Sequence, residues 1–360
     1  VTRICADRLS NISEREKILI HEQAGSRKLE ECVAHATSLY EIARQRSLKG
    51  RAPYAAFLDF SKAYDRVPHE GLLAKLKSYG FHGKLLRLLT AMYRRPCASV
   101  LTGDTRSAPF IYNIGVRQGC PASPILFNLY INDLFDGFSG VAIQPGVRSI
   151  PGLLFADDAV VLAESAHELQ SNLQRISDWC ERWRISLNIE KCGLVVFGPG
   201  EARNMCYRGQ SLPVVASYTY LGHPLMPDLD LNVVIQDRKE KAIRAYHGMR
   251  PFLTRNFVPA PIKMLLVKSV LLPIATYGCE LYGMSTSRLA HLQRVIDHAL
   301  KDILSCSSSY CRNPAYEELR IDCVAMRAAK LRTHAFLKWK TSRTTFGELM
   351  NQTFKCLSAI

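Results

Sequence analysis

The sequence predicts an α+β fold for its first 225 residues, followed by a part built from helices alone. Short, dense apolar runs of strand length alternate in the first part with longer segments whose apolar residues recur at helical spacing. Turn-forming residues separate neighbouring strand-like runs, which favours antiparallel strands joined by tight turns. From about residue 228 the strand-like runs disappear, so we place a domain boundary near residue 225, at "GHPLMPD".

The elements of the first part can be assigned in order along the chain. Helices are predicted at 1–12 and 29–47, with the loop "HEQAGSRK" between them, and a strand follows at 53–60. The segment "HEGLLAKLKSYGFHG" predicts an amphipathic helix that stops at Gly80. The segments "CASVLTG" and "APFIYNIGV" are typical of the two strands of a hairpin.

The second half of this part continues the alternation. The Gly- and Pro-rich stretch "GVRQGCPASP" opens a helix, "ILFNLYINDLFDGF", and a strand pair around Asp157 and Asp158 follows. The next helix carries apolar residues at a 4-3-4-3 spacing, namely Leu169, Leu173, Ile176, Cys180 and Trp183. The segments "CGLVVFG" and "YTYLGHPL" are predicted as strands.

The charge balance points to a polyanionic partner. The chain has 47 Lys+Arg against 32 Asp+Glu, a formal net charge of +15, which suits nucleic acid. Residues 236–268 carry eight basic and two acidic side chains, which favours a helical face that follows a duplex backbone, although a solvated helix face is the alternative. The basic residues are Arg238, Lys239, Lys241, Arg244, Arg250, Arg255, Lys263 and Lys268.

Cysteine usage indicates the redox state of the cellular compartment, and hydropathy indicates whether the chain could span a membrane. The twelve cysteines include no C-x-x-C pair, so we expect free thiols in a reducing compartment. The longest apolar stretch, "MLLVKSVLLPIATYG", is interrupted by Lys268 and Pro273 and is too short to span a bilayer, so we expect no membrane association.

Two adjacent aspartates interrupt the apolar run "LLFADDAVVL". Burying Asp157 and Asp158 as unpaired anions would cost several kcal/mol each, so either a turn carries them to solvent or a cation meets them. Asp59 closes another apolar strand, and strand ends can be neighbours in a sheet across long sequence distances. Carboxylates that converge in this way suit Mg²⁺, which prefers oxygen ligands. A two-ion site of this kind can catalyse phosphoryl transfer.

Five motifs give the chain a family resemblance. The segments "FLDFSKAYDRVPHEGLLAKLKSYGF", "GVRQGCPASPILFNLYINDLF", "LLFADDAVVLAES", "LNIEKCGLVVFG" and "YTYLG" stand in the order of the reverse transcriptase motifs. The chain most resembles the reverse transcriptases of non-LTR (LINE-type) retrotransposons. The resemblance implies a right-hand polymerase fold of fingers, palm and thumb, with an antiparallel palm sheet backed by helices and followed by a helical thumb. It implies an RNA-directed DNA polymerase that extends a primer 3′-OH with dNTPs.

The resemblance also implies roles for individual residues. Asp59 and Asp157 match the two metal-binding aspartates, Asp158 matches their companion acid, and the carbonyl of Phe60 would add a metal ligand. The expected cofactor is a pair of Mg²⁺ ions, with Mn²⁺ as a possible substitute. Lys191 matches a lysine proposed to protonate the pyrophosphate leaving group, and a surface base is the alternative.

Further matches concern the substrates. Tyr64 matches the bulky residue beneath the sugar of the incoming nucleotide, while Gln118 and Gly119 match a turn that contacts nucleotide and template. Arg27, beside Lys28, falls where the fingers would contact the triphosphate or template, and a plain surface residue is the alternative. The residues that match the primer grip are Tyr220, Leu221 and Gly222.

The resemblance divides the chain into functional domains. It implies fingers, incomplete at the N-terminus, and palm over 1–225, a helical thumb over 226–300 and an incomplete helical extension over 301–360. The implied partners are an RNA template, a DNA primer or target and dNTPs, with an intracellular, nuclear location. Two alternatives stay open at this point: a fragment that binds nucleic acid without catalysis, and a group II intron-type maturase or telomerase-like enzyme.

Overall fold

The computed structural model describes residues 1–144, 146, 148–198, 200, 204–283, 285–306 and 311–350. Within these residues the chain forms two units, one made of 1–218 together with 343–350 and the other of 219–342. This division follows contacts within the chain. The functional boundaries at residues 225 and 300 therefore stay predictions.

The first unit combines helices with short strands. Its helices are α1 (Thr2–Arg15), α2 (Cys32–Leu48), α3 (His69–Ser78), α4 (Gly83–Tyr93), α5 (Ser123–Ile131) and α6 (Ala166–Trp183). Its strands are β1 (Tyr54–Asp59), β2 (Cys97–Ala98), β3 (Leu101–Thr102), β4 (Thr105–Arg106), β5 (Phe110–Ile111), β6 (Gly152–Phe155), β7 (Asp158–Ala163), β8 (Gly193–Val196), β9 (Cys206–Tyr207) and β10 (Gln210–Ser211).

An antiparallel sheet forms the centre of this unit, with strand order β6-β7-β1-β8. Strand β1 pairs with β7 over its whole length, from Tyr54 opposite Ala163 to Asp59 opposite Asp158. Four consecutive residues of β1, 55–58, are buried, because both faces of this central strand are covered. The sheet brings the end of β1 beside the start of β7.

Helices back the sheet on the face that carries Ala56, Leu58 and Val161, which belong to one buried cluster with α5 and α6. Every residue of helix α5 except Pro124 is buried, as expected of a helix that is apolar all round. Helix α6 is amphipathic and is capped by Ser165, whose hydroxyl accepts a hydrogen bond from the Glu168 N–H. These features confirm the predicted α+β class with an antiparallel sheet backed by helices.

Two predicted strand regions differ in detail from the structure. The hairpin over 97–116 forms only two-residue ladders, and Leu101 and Ile111 are exposed. Its second half is instead tied to residues 64–69, because the His69 N–H donates to the Asn113 carbonyl and the Gly115 N–H donates to the Val67 carbonyl. The single strand predicted at 218–225 is instead a hairpin of β11 (Tyr218–Tyr220) and β12 (His223–Leu225). Its turn residues, Leu221 and Gly222, both have positive φ, which ends the strand.

The second unit is helical. Its helices are α7 (Leu231–Leu253), α8 (Ala260–Leu266), α9 (Leu272–Thr276), α10 (Cys279–Tyr282), α11 (Thr286–Leu304), α12 (Arg312–Glu318) and α13 (Val324–Trp339). A π-helical segment, Val267–Leu271, joins α8 to α9 and precedes Pro273, as expected where a proline removes a helical hydrogen bond. None of the described helices is long and apolar enough to cross a membrane.

Residues 343–350 return to the first unit. The Thr345 N–H donates to the His21 carbonyl over 2.9 Å, and the Arg343 N–H donates to Glu30 Oε1 over 2.9 Å. Thr344 and Thr345 are both buried. The first unit is therefore built from two separate parts of the chain.

Candidate functional site

A two-residue turn between β6 and β7 carries the aspartate pair. Phe155 and Asp158 form the last pair of the ladder, so Ala156 and Asp157 make up the turn. Ala156 has φ of +57°, a conformation that an alanine adopts only at some cost. The structure confirms that the two aspartates lie at a hairpin tip.

The predicted meeting of strand ends is also confirmed. Asp59 lies directly opposite Asp158 at the end of the β1–β7 ladder, and Asp157 is close enough to Asp59 for their charges to interact. Like charges placed opposite each other destabilise a sheet. The fold therefore concentrates negative charge at one end of the central strands β1 and β7, at a cost to its own stability.

The pKa values of Asp157 and Asp158 are both raised by their surroundings. Partial burial, with a further contribution from Asp59, raises the pKa of Asp157 above its usual range. Partial burial, followed by the charges of Asp157 and Asp59, raises the pKa of Asp158 to about 6. In the part of the chain that the structure describes, neither of these two pKa values is lowered by a lysine or arginine. Among the described residues, the causes of both shifts are therefore burial and neighbouring carboxylates.

The donor chemistry at this end of the strands fits a divalent cation. Asp59, Asp157 and Asp158 supply carboxylate oxygens, the ligands that Mg²⁺ and Mn²⁺ prefer. Across the described ranges, no three His, Cys, Asp or Glu side chains are already grouped closely enough to hold a metal ion. The site is therefore two strand ends that carry oxygens rather than a closed cage. Phe60 follows Asp59 with its ring buried, and a metal role for its carbonyl stays a prediction.

Tyr64 lies near the aspartates. It belongs to a 3₁₀ turn, Ala63–Arg66, and its ring stacks on Phe127 of α5 with centroids 4.4 Å apart. Burial, with a smaller contribution from the charge of Asp157, raises the pKa of Tyr64 to about 12. The phenol thus stays neutral, and its ring lies within electrostatic reach of Asp157 in the aspartate turn.

Gln118 and Gly119 lie beside this tyrosine. Gln118 Nε2 donates to Asp65 Oδ1 over 3.3 Å, and the Val116 N–H donates to the Tyr64 carbonyl over 2.9 Å. Gly119 has φ of +74°, and no other atom lies within 4 Å of where a Cβ would stand. The glycine therefore serves the turn conformation and leaves open space beside it. Contact of Gln118 and Gly119 with a nucleotide stays a prediction.

Lys191 ends a short 3₁₀ segment, Ile189–Lys191, and its side chain is exposed. The same loop is tied to β1, because the Asn188 N–H donates to the Asp59 carbonyl over 2.8 Å. Tyr218 Oη donates to the Lys191 carbonyl over 3.2 Å. The backbone before and at Lys191 is thus fixed relative to Asp59, while proton donation by its ammonium stays a prediction.

The predicted primer grip residues form the tip of the β11–β12 hairpin in the second unit. Tyr220 is buried, and the two carbonyls of the turn are held from within the unit. Tyr277 Oη donates to the Leu221 carbonyl over 2.9 Å, and Arg238 Nη2 donates to the Gly222 carbonyl over 2.7 Å. The tip is therefore a fixed turn. Its contact with a primer stays a prediction.

The contacts of Arg27 favour a structural role over the predicted contact with a triphosphate. Its guanidinium is almost fully buried and makes a bidentate ion pair with Glu14, with both N–O distances 2.8 Å. The same group donates to the carbonyls of Ile20 and Gln23 over 2.9 Å each. Its donors are thus used within the protein. The neighbouring Lys28 is exposed.

The basic segment 236–268 also differs from a uniform charged face. Arg238 and Lys263 are buried, and Arg250 pairs with Asp302. Lys241 and Arg238 share Asp237. The exposed members without an ion pair among the described contacts are Arg244, Arg255 and Lys268.

Sequence reasoning missed two residues of this region, Gln23 and Tyr218. Tyr218 stacks on Phe57 of β1 with centroids 4.2 Å apart, and burial is the main cause that raises its pKa to about 12. Gln23 is fully buried against the aspartate turn. Its position in the polar loop "HEQAGSRK" gave no sign of burial. For Tyr218 the available signal was its position as the first residue of the motif "YTYLG", which follows a predicted strand closely in the sequence.

Comparisons with known proteins identify a family for most of this chain. The family model described as "Reverse transcriptase (RNA-dependent DNA polymerase)" matches residues 1–225. The chain is similar to the RNA-directed DNA polymerase from mobile element jockey of Drosophila melanogaster, at 27% identity over 250 residues, covering 67% of this chain and 27% of the relative. It is also similar to the Pol polyprotein from type-1 retrotransposable element R2 of Popillia japonica, at 24% identity, covering 75% and 46%.

A solved structure also matches. The apo telomerase from Candida tropicalis superimposes with a TM-score of 0.48 at 12% identity, covering 92% of this chain and 53% of that chain. The chain spans less than half the length of the curated relatives named above.

Proposed function

The chain belongs to the reverse transcriptase (RNA-dependent DNA polymerase) family, and from this premise we propose that it extends the 3′-OH of a primer on an RNA template with dNTPs, as part of a non-LTR retrotransposon. One observation carries the proposal. Asp59 and Asp158 lie directly opposite each other at the end of β1 and β7, with Asp157 in the adjoining turn. Carboxylates gathered at the ends of paired strands destabilise a sheet, and a bound cation would offset that cost.

Asp59 and Asp157 would hold the metal ions, with Asp158 and the carbonyl of Phe60 as further oxygen ligands. Two bound Mg²⁺ ions, or Mn²⁺ in their place, would supply a lowered pKa for the attacking hydroxyl and charge stabilisation for the leaving pyrophosphate. The contribution of the protein is to fix these oxygens on two rigid, paired strands. Positioning of this kind can supply a large share of the barrier reduction in phosphoryl transfer.

Tyr64 supports selection of the sugar. Its ring is held by Phe127 and does not ionise near neutral pH, so it presents a fixed apolar edge near Asp157. An edge of this kind beneath C2′ would exclude a 2′-OH, the group that distinguishes ribonucleotides from deoxyribonucleotides. Gln118 and Gly119 would contact the nucleotide from the neighbouring turn, and Lys191 would donate a proton to pyrophosphate.

Nucleic acid binding is supported by the charge of the chain and by exposed basic residues of the second unit, Arg244, Arg255 and Lys268. These residues suit the phosphate backbone, since such contacts add affinity without reading sequence. Tyr220, Leu221 and Gly222 would hold the primer end. A nuclear location follows from the proposed role in copying an element into chromosomal DNA.

The test is extension of a DNA primer annealed to a short RNA template, with Mg²⁺ and dNTPs. Wild type should extend, while Asp157→Asn and Asp59→Asn should lose extension and keep the fold and the affinity for the duplex. Asp104→Asn is the matched control, because Asp104 is exposed in the loop between β3 and β4. Extension by either site variant at the wild-type rate would refute the metal assignment. Duplex binding by wild type without extension would show a binding fragment that lacks catalysis.

A further inference from the structure

The side chain of Gln23 contacts the aspartate turn directly. Gln23 is fully buried, and its Oε1 accepts hydrogen bonds from the Ala156 N–H over 3.0 Å and from the Gly25 N–H over 2.8 Å. Its Nε2 lies 3.4 Å from the Ala156 carbonyl, to which it donates. One amide thus contacts both polar backbone groups of the residue that precedes Asp157.

The backbone around Gln23 is fixed to the same hairpin. The Leu154 N–H donates to the Glu22 carbonyl, and the Ala24 N–H donates to the Leu154 carbonyl, each over 2.9 Å. This pairing makes residues 22–24 a short parallel neighbour of β6. Since both flanking peptide groups are bonded to the strand, the Gln23 side chain is held over the turn by the sheet itself.

Gly25 completes this contact by leaving no space between the segment and the turn. A Cβ on Gly25 would stand 2.1 Å from the Ala156 nitrogen, far inside contact distance. On the other side, Asn128 Nδ2 donates to the Gly25 carbonyl over 2.6 Å. Residues 23–25 are therefore fixed between helix α5 and the aspartate turn.

The turn requires such support. Ala156 is held in the left-handed region, a strained conformation for a residue with a side chain. Asp157 and Asp158 repel each other and Asp59, so the charges favour a turn that opens. Without a partner, the partly buried Ala156 N–H would add a further penalty. The hydrogen bonds of Gln23 oppose all three tendencies.

We propose that Gln23 is a positioning residue that holds the Ala156–Asp157 turn, and with it the Asp157 carboxylate, in place beside Asp59. Its catalytic consequence rests on the proposed function, while the structural contact does not. The chain offers a matched comparison in Asn132. This buried amide also makes two backbone hydrogen bonds to the same N-terminal segment, to Ile20 and Ile18, yet in the described contacts it bonds no residue of the turn.

The first experiment is hydrogen–deuterium exchange of the peptide 153–160 in wild type, Gln23→Met and Asn132→Leu. Methionine keeps the length of the side chain and removes its hydrogen bonds. Losing the acceptor of the Ala156 N–H should speed exchange there about fivefold or more in Gln23→Met. Asn132→Leu should leave this peptide at the wild-type rate. Equal exchange in wild type and Gln23→Met would overturn the proposal whether or not the protein is a polymerase.

The second experiment separates positioning from general stability. Mn²⁺ binding is followed by electron paramagnetic resonance, and primer extension is measured against Mg²⁺ and dNTP concentration. Gln23→Met should bind Mn²⁺ about 10- to 100-fold more weakly and lower kcat with little change in the KM for dNTP. Asn132→Leu should match wild type in both. Unchanged Mn²⁺ affinity and kcat in Gln23→Met would overturn the proposal.

The two experiments also distinguish failure of the positioning proposal from failure of the proposed function. A wild-type protein that binds Mn²⁺ but does not extend primers would refute the polymerase proposal. In that case, weaker Mn²⁺ binding and faster exchange in Gln23→Met would still support the positioning role.

Discussion

The ring of Tyr64 lies parallel to the ring of Phe127, with centroids 4.4 Å apart and 15° between the planes. Phe127 is fully buried in α5, so the tyrosine is supported by the core of the first unit. The orientation of its ring is therefore fixed by the protein itself.

Replacement of Tyr64 tests the sugar selection. Tyr64→Ala should raise incorporation of rNTP relative to dNTP by about 10- to 100-fold, because the barrier to a 2′-OH is removed. Tyr64→Phe keeps the ring and should preserve the wild-type ratio. The measurement is kcat/KM for a matched dNTP and rNTP pair. An unchanged ratio in Tyr64→Ala would show that another group reads the sugar.

Removal of Arg27 tests its structural role. Arg27→Met leaves the partly buried Glu14 carboxylate and two carbonyls without their donor, so unfolding should become easier by about 2–4 kcal/mol. Lys28→Met, at the exposed neighbouring position, should change stability by less than about 0.5 kcal/mol. Urea unfolding measures both. A normally stable Arg27→Met with a raised KM for dNTP would instead support the predicted nucleotide contact.

The raised pKa of Asp158 predicts how stability depends on pH. A carboxyl that holds its proton up to about pH 6 when folded, and only to about pH 4 when unfolded, favours the folded state at low pH. Stability from this group is therefore lost as pH rises from about 4 to 6. In EDTA, Asp158→Asn should melt at a higher temperature than wild type at pH 8, and the difference should shrink towards pH 4. A constant difference across this range would contradict the assigned pKa.

Divalent ions should reverse that effect. Mg²⁺ added at pH 8 should raise the Tm of wild type more than that of Asp158→Asn, because the cation compensates the repulsion between the carboxylates. An equal rise in both proteins would show that the ion binds elsewhere.

Two lysines five residues apart test the charged face of the second unit. Lys268 is exposed and Lys263 is buried. If Lys268 contacts phosphate, Lys268→Gln should lower the slope of log K against log salt for duplex binding by about 0.9. Lys263→Gln should leave the slope unchanged. A lower slope in Lys263→Gln, with an unchanged slope in Lys268→Gln, would show that Lys263 and not Lys268 contacts phosphate.

The sequence pattern predicted the sheet and the positions of the aspartates, because both depend on local features. The apolar runs that end at Asp59 and surround Asp157 define strands, and turn chemistry between them defines the hairpin. The burial of the Arg27 side chain could not be predicted from local features. Its burial depends on Glu14, on the preceding helix, and on how the intervening loop folds back.

The same limit applies to Gln23 and Lys263. A glutamine in a polar loop and a lysine in a basic helix look solvated in the sequence, yet both side chains are buried. Whether a long polar side chain is covered depends on neighbours that come from distant segments. Periodicity contains no information about those neighbours.

The return of residues 343–350 to His21 and Glu30 has a consequence for biosynthesis. The first unit lacks its last segment until about 125 residues after Tyr218 have been translated. At about 5–20 residues per second, that interval lasts roughly 6–25 s. During this time the nascent polypeptide leaves the backbone acceptor of His21 open at the ribosome, so the N-terminal unit reaches its final form only after the helical unit has emerged.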